Sequence, residues 1–325
     1  MWLNKIIKSE TGSIAVLAAV SFVVVAAVCG LVVDLGAVYM RGSQLQNAAD
    51  ASVYAAVYDL PVATSDSDAI ALIKSKVRTY AQRNGIDSEC VESITLGDVI
   101  NGQYTTIRTQ LEDNVMYGFG PIVGLKGAVV TKAAKIGVRA ATSANNMLPL
   151  GTTVEQFEAA LADNGAQDVV VKYGAGDAET GFFGALDLDG VQGGGAKDFA
   201  TWLAFGYDGT LDIGDSLPTE NGNMTGPTTS AFETRYNSCT HFATSGGCSE
   251  AQFVETCERV VVLIIYSMDG VHDIIIEAFV PFVLVGNSGG EITASHINIT
   301  VNSGNSEELD ADNMKNGMFV GRLIE

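Results

Sequence analysis

The sequence predicts an α+β protein with a long N-terminal transmembrane helix that continues outside the membrane. Three features support this fold class: an uncharged apolar run near the N-terminus, helix-like and strand-like stretches in the middle, and Val/Ile-rich stretches between glycine-rich turns in the C-terminal half. The predicted parts are a cytoplasmic tail (1–12), the transmembrane helix with its extramembrane extension (13–60), a small α+β domain (61–145) and an acidic, glycine-rich antiparallel β domain (146–325).

The net charge of −20 is concentrated in the C-terminal domain. Residues 146–325 carry 26 acidic side chains against six basic ones, which accounts for the whole net charge. Such a surface repels the phosphate backbone of nucleic acids, so we expect no nucleic-acid partner. Hydrophobic residues make up 47% of the chain, which is enough to build folded cores.

The predicted membrane anchor is the apolar run from Ile14 to Val33, whose 20 residues include no charge. A helix of that length measures about 30 Å, the thickness of the hydrocarbon core of a bilayer. A cleaved signal peptide is the alternative, because Lys5 and Lys8 precede the run. The run is longer than an ordinary signal-peptide core and ends without an A-x-A cleavage site, which favours an uncleaved anchor.

The basic residues around the run predict its orientation. Lys5 and Lys8 lie before it, whereas Arg41 is the only base in the twenty residues that follow it. Basic residues favour the cytoplasmic side, so we expect the N-terminus in the cytoplasm and the C-terminal domain outside it.

The helix is expected to continue beyond the membrane as far as Tyr58. Residues 34–58 contain no proline, and small or apolar side chains recur at three- and four-residue steps until Pro61 closes the segment. Small side chains permit close packing, and we expect this stripe to pack onto the extramembrane part of its own chain.

Residues 12–57 also resemble a known family. The resemblance rests on Gly12-Ser13 before the apolar run, Val33-Asp34-Leu35-Gly36 at its end, and the sequence LQNAADA at 45–51. This combination resembles the N-terminal segment of Tad/Flp pilus-assembly proteins of the TadG-like group. The resemblance implies a single-pass protein of the bacterial cytoplasmic (inner) membrane that helps to assemble or anchor a type IV-like pilus. Its implied partners are the membrane and either pilus subunits or other Tad assembly proteins.

The sequence lacks two features of related proteins. Many longer members of the group carry a von Willebrand factor A-like domain with a D-x-S-x-S metal motif, and that motif does not occur here. Pilins are cut after a glycine and carry Glu at the fifth position beyond it, but no acid follows Gly12 within five residues. We therefore expect neither that metal site nor pilin-type cleavage.

The predicted α+β domain begins with an amphipathic helix over Ser67–Asn84 and is joined to the next domain at residues 144–150. Asn101-Gly102 is typical of a two-residue hairpin turn. The remaining predicted elements are strands over Ser93–Val99, Tyr104–Leu111 and Ala128–Ala141, and a short helix over Tyr117–Leu125.

The C-terminal domain is predicted to contain hairpin-connected strands and one helix, over Lys197–Phe205. The predicted strands are Asp168–Tyr173, Arg259–Tyr266, Asp273–Val285 and Glu291–Val301.

The stretch from Gly181 to Cys239 is otherwise expected to form ordered loops that bind a partner, and the alternative is that its aromatic side chains only form a small core beneath the loops. Its aromatic side chains can offset the entropy cost of ordering, and they are Phe182, Phe183, Trp202, Phe205 and Tyr207. Loops on a β scaffold are a common place for recognition. The acidic tips expected to take part are Asp187, Asp189, Asp208 and Asp212.

No motif in the sequence identifies a catalytic residue. His241, His272 and His296 lie outside any H-E-x-x-H pair, and nucleophile and phosphate-binding motifs are missing. We therefore expect a non-enzymatic protein without a cofactor, with an extracytoplasmic hydrolase and a calcium-dependent adhesin as alternatives. Asp187 and Asp189 are weak calcium candidates, because their spacing departs from a calcium loop and a solvated acidic loop explains them better.

The cysteines predict a covalent or metal cross-link. Cys29 lies within the apolar run, and the remaining four are expected to form two disulfides in an oxidising compartment, with open connectivity: Cys90, Cys239, Cys248 and Cys257. The alternative is a zinc site made of Cys239, His241, Cys248 and Cys257. The sequence favours it less, because a C-x₂₋₄-C pair is missing.

Overall fold

The computed structural model describes residues 11–172, 184–190, 195–219, 225–270, 273–288, 291–301 and 303–324. The chain divides into two compact units. The first holds Met1–Asp98, Tyr104–Ile136 and Leu323–Glu325, and the second holds Val99–Gln103 and Gly137–Arg322. Some residues named above lie outside the described residues: the tail at 1–10 with Lys5 and Lys8, and Tyr173, Phe182, Phe183 and His272.

The first unit combines two helices with a small sheet, which agrees with the predicted fold class. Its elements are α1 (Thr11–Ala56), β1 (Val62–Ala63), α2 (Ser67–Arg83), β2 (Val91–Ile100), β3 (Gln103–Met116) and β4 (Gly127–Ala141). β3 pairs with β1, β2 and β4. The ends of β2 and β4 and the first residue of β3 belong to the second unit.

α1 is one continuous helix of 46 residues, as the sequence predicts. Between Ile14 and Val33 it exposes apolar side chains around most of its surface, whereas Leu45 and Ala49 further along are fully buried. This later part contacts α2, and Gln46 Nε2 donates a hydrogen bond to the carbonyl of Ala133 in β4 (3.1 Å). The extension of the helix therefore packs onto its own unit, as expected from its small side chains.

The segment Tyr117–Leu125 is a loop, so the short helix predicted there is wrong. It contains a single 3₁₀ turn at Gly120–Val123, with Pro121 at the start of the turn. Gly124 ends the turn with φ +87°, a left-handed conformation that glycine adopts without strain. An apolar run of this length has no amphipathic repeat, and here its glycines decide the backbone.

In its described residues, the second unit contains the remaining strands and three helices. Its elements are β5 (Ser143–Ala144), β6 (Met147–Thr153), α3 (Val154–Asn164), β7 (Val169–Lys172), β8 (Gly184–Ala185), α4 (Gly195–Phe205), β9 (Leu211–Asp212), β10 (Ser216–Pro218), α5 (Thr225–Asn237), β11 (Val260–Asp269), β12 (Asp273–Ser288), β13 (Glu291–His296), β14 (Ile299–Val301), β15 (Ser306–Glu307) and β16 (Met318–Leu323).

A central sheet with the strand order β7-β13-β12-β11-β6-β8 organises this unit, and β10 also pairs with β12. β11, β12 and β13 are antiparallel neighbours, as predicted from their turns. β6 runs parallel to β11, and β14 runs parallel to β16. The second unit is therefore mixed rather than purely antiparallel, because long crossovers separate the members of each parallel pair.

The central sheet is buried on both faces. On one face, Leu263 packs with apolar residues of α3, α4 and α5, such as Phe157 and Phe199. On the other face, Ile264 packs with Met318 of β16 and with Cys248 and Cys257. Burial of both faces explains why β11 reads as a continuous apolar run instead of alternating with polar residues.

Three further elements differ from the sequence predictions. Thr225–Asn237 is helical, not a loop, although only a short part of it is apolar. The strand predicted over Glu291–Val301 is broken, because Ile297 bonds to the carbonyl of Pro281 and the chain then joins β16. The chain passes between units at residues 136–137 instead of 144–150, since Met147–Thr153 forms a central strand of the second unit.

Candidate functional site

Asp34 joins α1 to the loop between β3 and β4. Its side chain is 4% exposed. Oδ1 accepts a hydrogen bond from the N–H of Gly118 (2.7 Å) and Oδ2 accepts one from the N–H of Gly120 (2.6 Å). The N–H of Phe119 lies 3.2 and 3.1 Å from the two oxygens. Hydrogen bonds to a carboxylate are stronger than neutral ones, so Asp34 fixes the loop to the helix.

The other N–H groups of this loop, which we call the Asp34 loop (residues 117–125), also have partners. The N–H groups of Tyr117, Ile122, Gly124 and Leu125 donate to the carbonyls of Lys126, Phe119, Pro121 and Gly120, respectively. Pro121 has no N–H group. With the three bonds to Asp34, at least seven of the eight N–H groups of the loop are satisfied within the chain.

Gly30 allows the Asp34 loop to approach the apolar part of α1. A Cβ atom at this position would lie 2.7 Å from Cβ of Phe119, which is closer than side chains pack. A cleft of about 290 Å³ beside this contact is lined by helix and loop residues, among them Phe22, Ala26, Leu31, Ile122 and Val123. Phe119, Ile122 and Val123 are exposed, and the helix beside them is long and apolar enough to cross a membrane.

A second candidate site lies in the second unit, in the segment between α5 and β11, which we call the cysteine loop (residues 239–257). Cys239 and His241 follow the end of α5, Cys248 follows the Gly246-Gly247 turn, and Cys257 precedes β11. Three sulfur atoms and one imidazole nitrogen of these four residues all lie within 4.8 Å of one another. The fold thus gathers the residues of the zinc alternative.

One of the four residues of this cluster carries a buried polar atom without a hydrogen-bond partner. His241 Nδ1 is buried and forms no hydrogen bond within the part of the chain that the structure describes. A buried polar atom without a partner costs free energy, unlike a satisfied one. The backbone N–H of Arg259 lies 3.5 Å from Cys257 Sγ, in position to stabilise a thiolate there.

Arg259 holds the cysteine loop between the helix and the strand. Its Nε donates to the carbonyl of Tyr236 (3.0 Å) and its Nη1 donates to the carbonyl of Gly246 (2.9 Å). The guanidinium also lies over the Tyr236 ring, 3.6 Å from its centroid. A side chain at Gly247, whose φ is +108°, would collide with this guanidinium. Gly246 has a φ of +85°, so the backbone favours glycine at both positions where the loop turns towards Cys248.

The thiols of this cluster differ in acidity. Burial raises the pKa of Cys239, but hydrogen bonds donated to its sulfur, first by the backbone of Cys248, lower that pKa to about 6. Burial raises the pKa of Cys257 to about 12, an effect that the neighbouring thiols of Cys239 and Cys248 increase. Cys239 consequently ionises at a lower pH than Cys257.

The structure contains all five cysteines as free thiols. Cys239, Cys248 and Cys257 come together, whereas Cys90 lies in the first unit, where burial and the charge of Asp113 raise the pKa of its thiol. The two disulfides expected in an oxidising compartment stay a prediction.

The two acidic calcium candidates differ in their solvent exposure. Asp187 is 5% exposed and Asp189 is exposed to solvent. Burial of Tyr207 raises its pKa, and the charges of Asp189, Asp208 and Asp187 raise it further. In the described part of the chain, these acids do not belong to a group of three or more potential metal ligands. Calcium binding stays a prediction.

Sequence reasoning missed how the two sites are assembled. The partner of Asp34 lies more than eighty residues away, and no local pattern identifies it. For the cysteine loop, a usable signal was the Cys239-x-His241 spacing, which supplies two neighbouring ligands in place of a C-x₂₋₄-C pair.

Comparison with known proteins gives one finding for the N-terminal part. Residues 12–59 match the Tad family model, which is described as "Putative Flp pilus-assembly TadE/G-like". The matched range includes Gly30 and Asp34, and it does not extend to the second unit. No curated protein and no solved structure matches the chain. The match confirms the resemblance seen in the sequence and supports a role related to pilus assembly.

Proposed function

We propose that this protein is a membrane-anchored, non-enzymatic component of a Tad/Flp pilus-assembly or surface-attachment system. The observation that carries the proposal is that the family match covers the same helix whose first part is apolar enough to span a membrane. The basic residues before the span favour an N-terminus in the bacterial cytoplasm and a location outside the cytoplasmic (inner) membrane for the part of the chain that follows the span.

The Asp34 loop supports this anchoring role. Irregular backbone is tolerated in hydrocarbon only where its polar groups have partners. Asp34, carbonyls of the loop and the carbonyl of Lys126 meet that requirement for most of its N–H groups. Exposed Phe119, Ile122 and Val123 are suited to contact with acyl chains. In this proposal the loop enters the outer leaflet beside α1 and holds the first unit against the membrane.

The acidic second unit is proposed to bind pilus subunits or other Tad assembly proteins. Asp189 and Asp208 are exposed and lie near Tyr207, so they are suited to contact a partner. Asp187 is buried, and Asp212 accepts a hydrogen bond from Asn305 Nδ2 (2.7 Å), which makes these two residues parts of the folded structure. The expected contact region therefore narrows to the two exposed acids.

A strain that lacks this protein tests the role in pilus assembly. We expect electron micrographs to show few or no pili, and we expect the wild-type chain to restore them. The double variant Asp189→Asn/Asp208→Asn should reach wild-type levels in the membrane yet restore fewer pili. Asp163→Asn, at an exposed position on α3, is the matched control and should restore them fully. Normal piliation in the deletion strain would refute the proposal.

Protease added to intact spheroplasts tests the topology. We expect digestion of the part that follows α1 and protection of the apolar part of the helix. Survival of the intact 34.0 kDa chain, under conditions in which detergent-solubilised protein is digested, would contradict the proposed orientation.

Lipids brominated along the acyl chain test the loop. We expect them to quench the added tryptophan of an Ile122→Trp variant more strongly than that of Leu72→Trp, because Leu72 is an exposed residue of α2. Equal quenching of the two added tryptophans would show that the loop does not enter the membrane. It would leave open the proposal that α1 spans it.

A further inference from the structure

We propose that Cys239, His241, Cys248 and Cys257 bind one Zn²⁺ ion, with all four ligands supplied by the protein. This inference rests on the geometry of the cysteine loop and is independent of the proposed function.

The type and spacing of the ligand atoms suit zinc. Thiolate sulfur and imidazole nitrogen are its usual protein ligands, and a tetrahedral site with Zn–S bonds of about 2.3 Å separates the sulfurs by about 3.8 Å. The four ligand atoms already lie within 4.8 Å of one another, so small side-chain rotations complete the site. A set of three thiolates and one imidazole favours zinc over calcium or magnesium, which prefer oxygen ligands.

Zinc satisfies the cluster more completely than a disulfide does. Three sulfurs meet here, so a disulfide between any two of them leaves the third thiol unused. It also leaves the buried Nδ1 of His241 without a partner. Zinc takes all three sulfurs together with the imidazole. On binding, the thiols lose their protons to solvent and the site keeps a net charge of −1, from three thiolates and one divalent cation.

The surroundings of the cluster indicate a structural rather than a catalytic metal. Four protein ligands close the coordination sphere and leave no position for a substrate or water. Cys248 and Cys257 are both 3% exposed and pack into the core on one face of the central sheet. Arg259 binds the carbonyls of Tyr236 and Gly246, so the turn that carries Cys248 is already held in place. The metal therefore fastens the end of α5 to the start of β11.

Metal analysis of the full-length chain, purified in detergent without a metal-affinity tag, tests the proposal. Elemental mass spectrometry should find about one zinc ion per chain. Cys257→Ser and His241→Gln should lose most of this zinc. Cys90→Ser, which removes a partly buried thiol outside the cluster, is the matched control and should retain it.

Cobalt substitution of the wild-type chain decides the question if the variants fail to fold. Co²⁺ in the zinc site should give the thiolate-to-metal charge-transfer and ligand-field bands of tetrahedral coordination, and added Zn²⁺ should abolish them. Three results would overturn the proposal: a metal-free native protein with a disulfide among Cys239, Cys248 and Cys257; equal zinc in wild type and Cys257→Ser; or octahedral cobalt spectra.

Discussion

The Asp34 loop and the cysteine loop are both irregular segments held by side chains, but the chemistry that holds them is opposite. In the first, one carboxylate accepts hydrogen bonds from three neighbouring N–H groups, and the polar groups are satisfied by the chain itself. In the second, four potential metal ligands face one another, and His241 Nδ1 has no partner among the described residues. The chain itself satisfies at least seven of the eight N–H groups of the first loop, whereas the second loop is the one proposed to bind a cation.

Chelation should separate the two loops most clearly. Removal of zinc by a strong chelator is expected to lower the free energy of unfolding of the second unit by about 4 kcal/mol, if free zinc was present at about 1,000 times its dissociation constant. Hydrogen exchange measured by mass spectrometry should rise in residues 239–257 and stay unchanged in residues 117–125. Equal changes in both loops, or no change in the cysteine loop, would show that zinc does not stabilise the cysteine loop specifically.

Replacement of Asp34 by alanine should affect only the first loop. Three N–H groups lose a charged acceptor, and we expect the local free energy of opening to fall on the order of 3 kcal/mol. Faster hydrogen exchange of residues 117–120 in lipid nanodiscs measures this loss. Asp50→Ala is the control on the same helix, since Asp50 accepts a hydrogen bond from a single side chain, that of Gln46. An effect of Asp34→Ala no larger than that of the control would show that Asp34 does not hold the loop.

Two glycines of α1 provide a matched pair of variants. Gly30→Ala places a Cβ atom against Phe119 and is expected to destabilise the loop contact by about 2 kcal/mol. Gly36→Ala meets no atom within 4 Å and should stabilise the helix by up to about 1 kcal/mol. Thermal unfolding in detergent and exchange in residues 117–125 compare them. A Gly30→Ala protein as stable as Gly36→Ala would show that close approach is not required.

The smallest expected effect is on the pH dependence of the stability of the second unit, and it comes from a residue outside the cysteine loop. Burial of His296, whose ring packs against Phe157 and Phe282, lowers its pKa below the ordinary 6.5. The unfolded chain then binds more protons than the folded one, so stability falls as the pH drops through 6.5. In His296→Gln, the free energy of unfolding should no longer fall with pH for this reason. The difference between the two proteins is the quantity to compare, because zinc release also depends on pH.

The sequence predicts the elements whose pattern is visible in neighbouring residues, and it does not predict those that depend on distant contacts. The uncharged run in α1 is long enough to predict a helix, and the turns that bound the apolar runs of β11 and β12 predict strands there. The sequence does not predict α5, because its buried face mixes apolar and polar side chains: Ala231 and Phe232 are buried together with Thr228 and Arg235, so the apolar residues alone show no helical repeat. The sequence predicts a linker where β6 lies, because pairing with a strand more than a hundred residues later leaves no local signal.

The two sites depended on contacts that the sequence does not encode locally. Asp34 was noticed as part of a family motif, but its role requires a loop that lies 84 to 86 residues later. The sequence identifies the four candidate ligands of the cysteine loop, yet their spacing favours disulfides over zinc. Their convergence depends on Arg259 and on a two-glycine turn, which only the folded chain brings together.

The continuity of α1 has a mechanical consequence. At about 1.5 Å per residue, its 46 residues form a rod of about 69 Å without a flexible joint between the apolar part and the folded part. The contacts of Gly30 and Asp34 with the Asp34 loop also oppose rotation of the rest of the first unit about the axis of this helix. A force applied to the folded part of the first unit therefore travels along this helix as axial tension and torque, without a joint at which it could be lost.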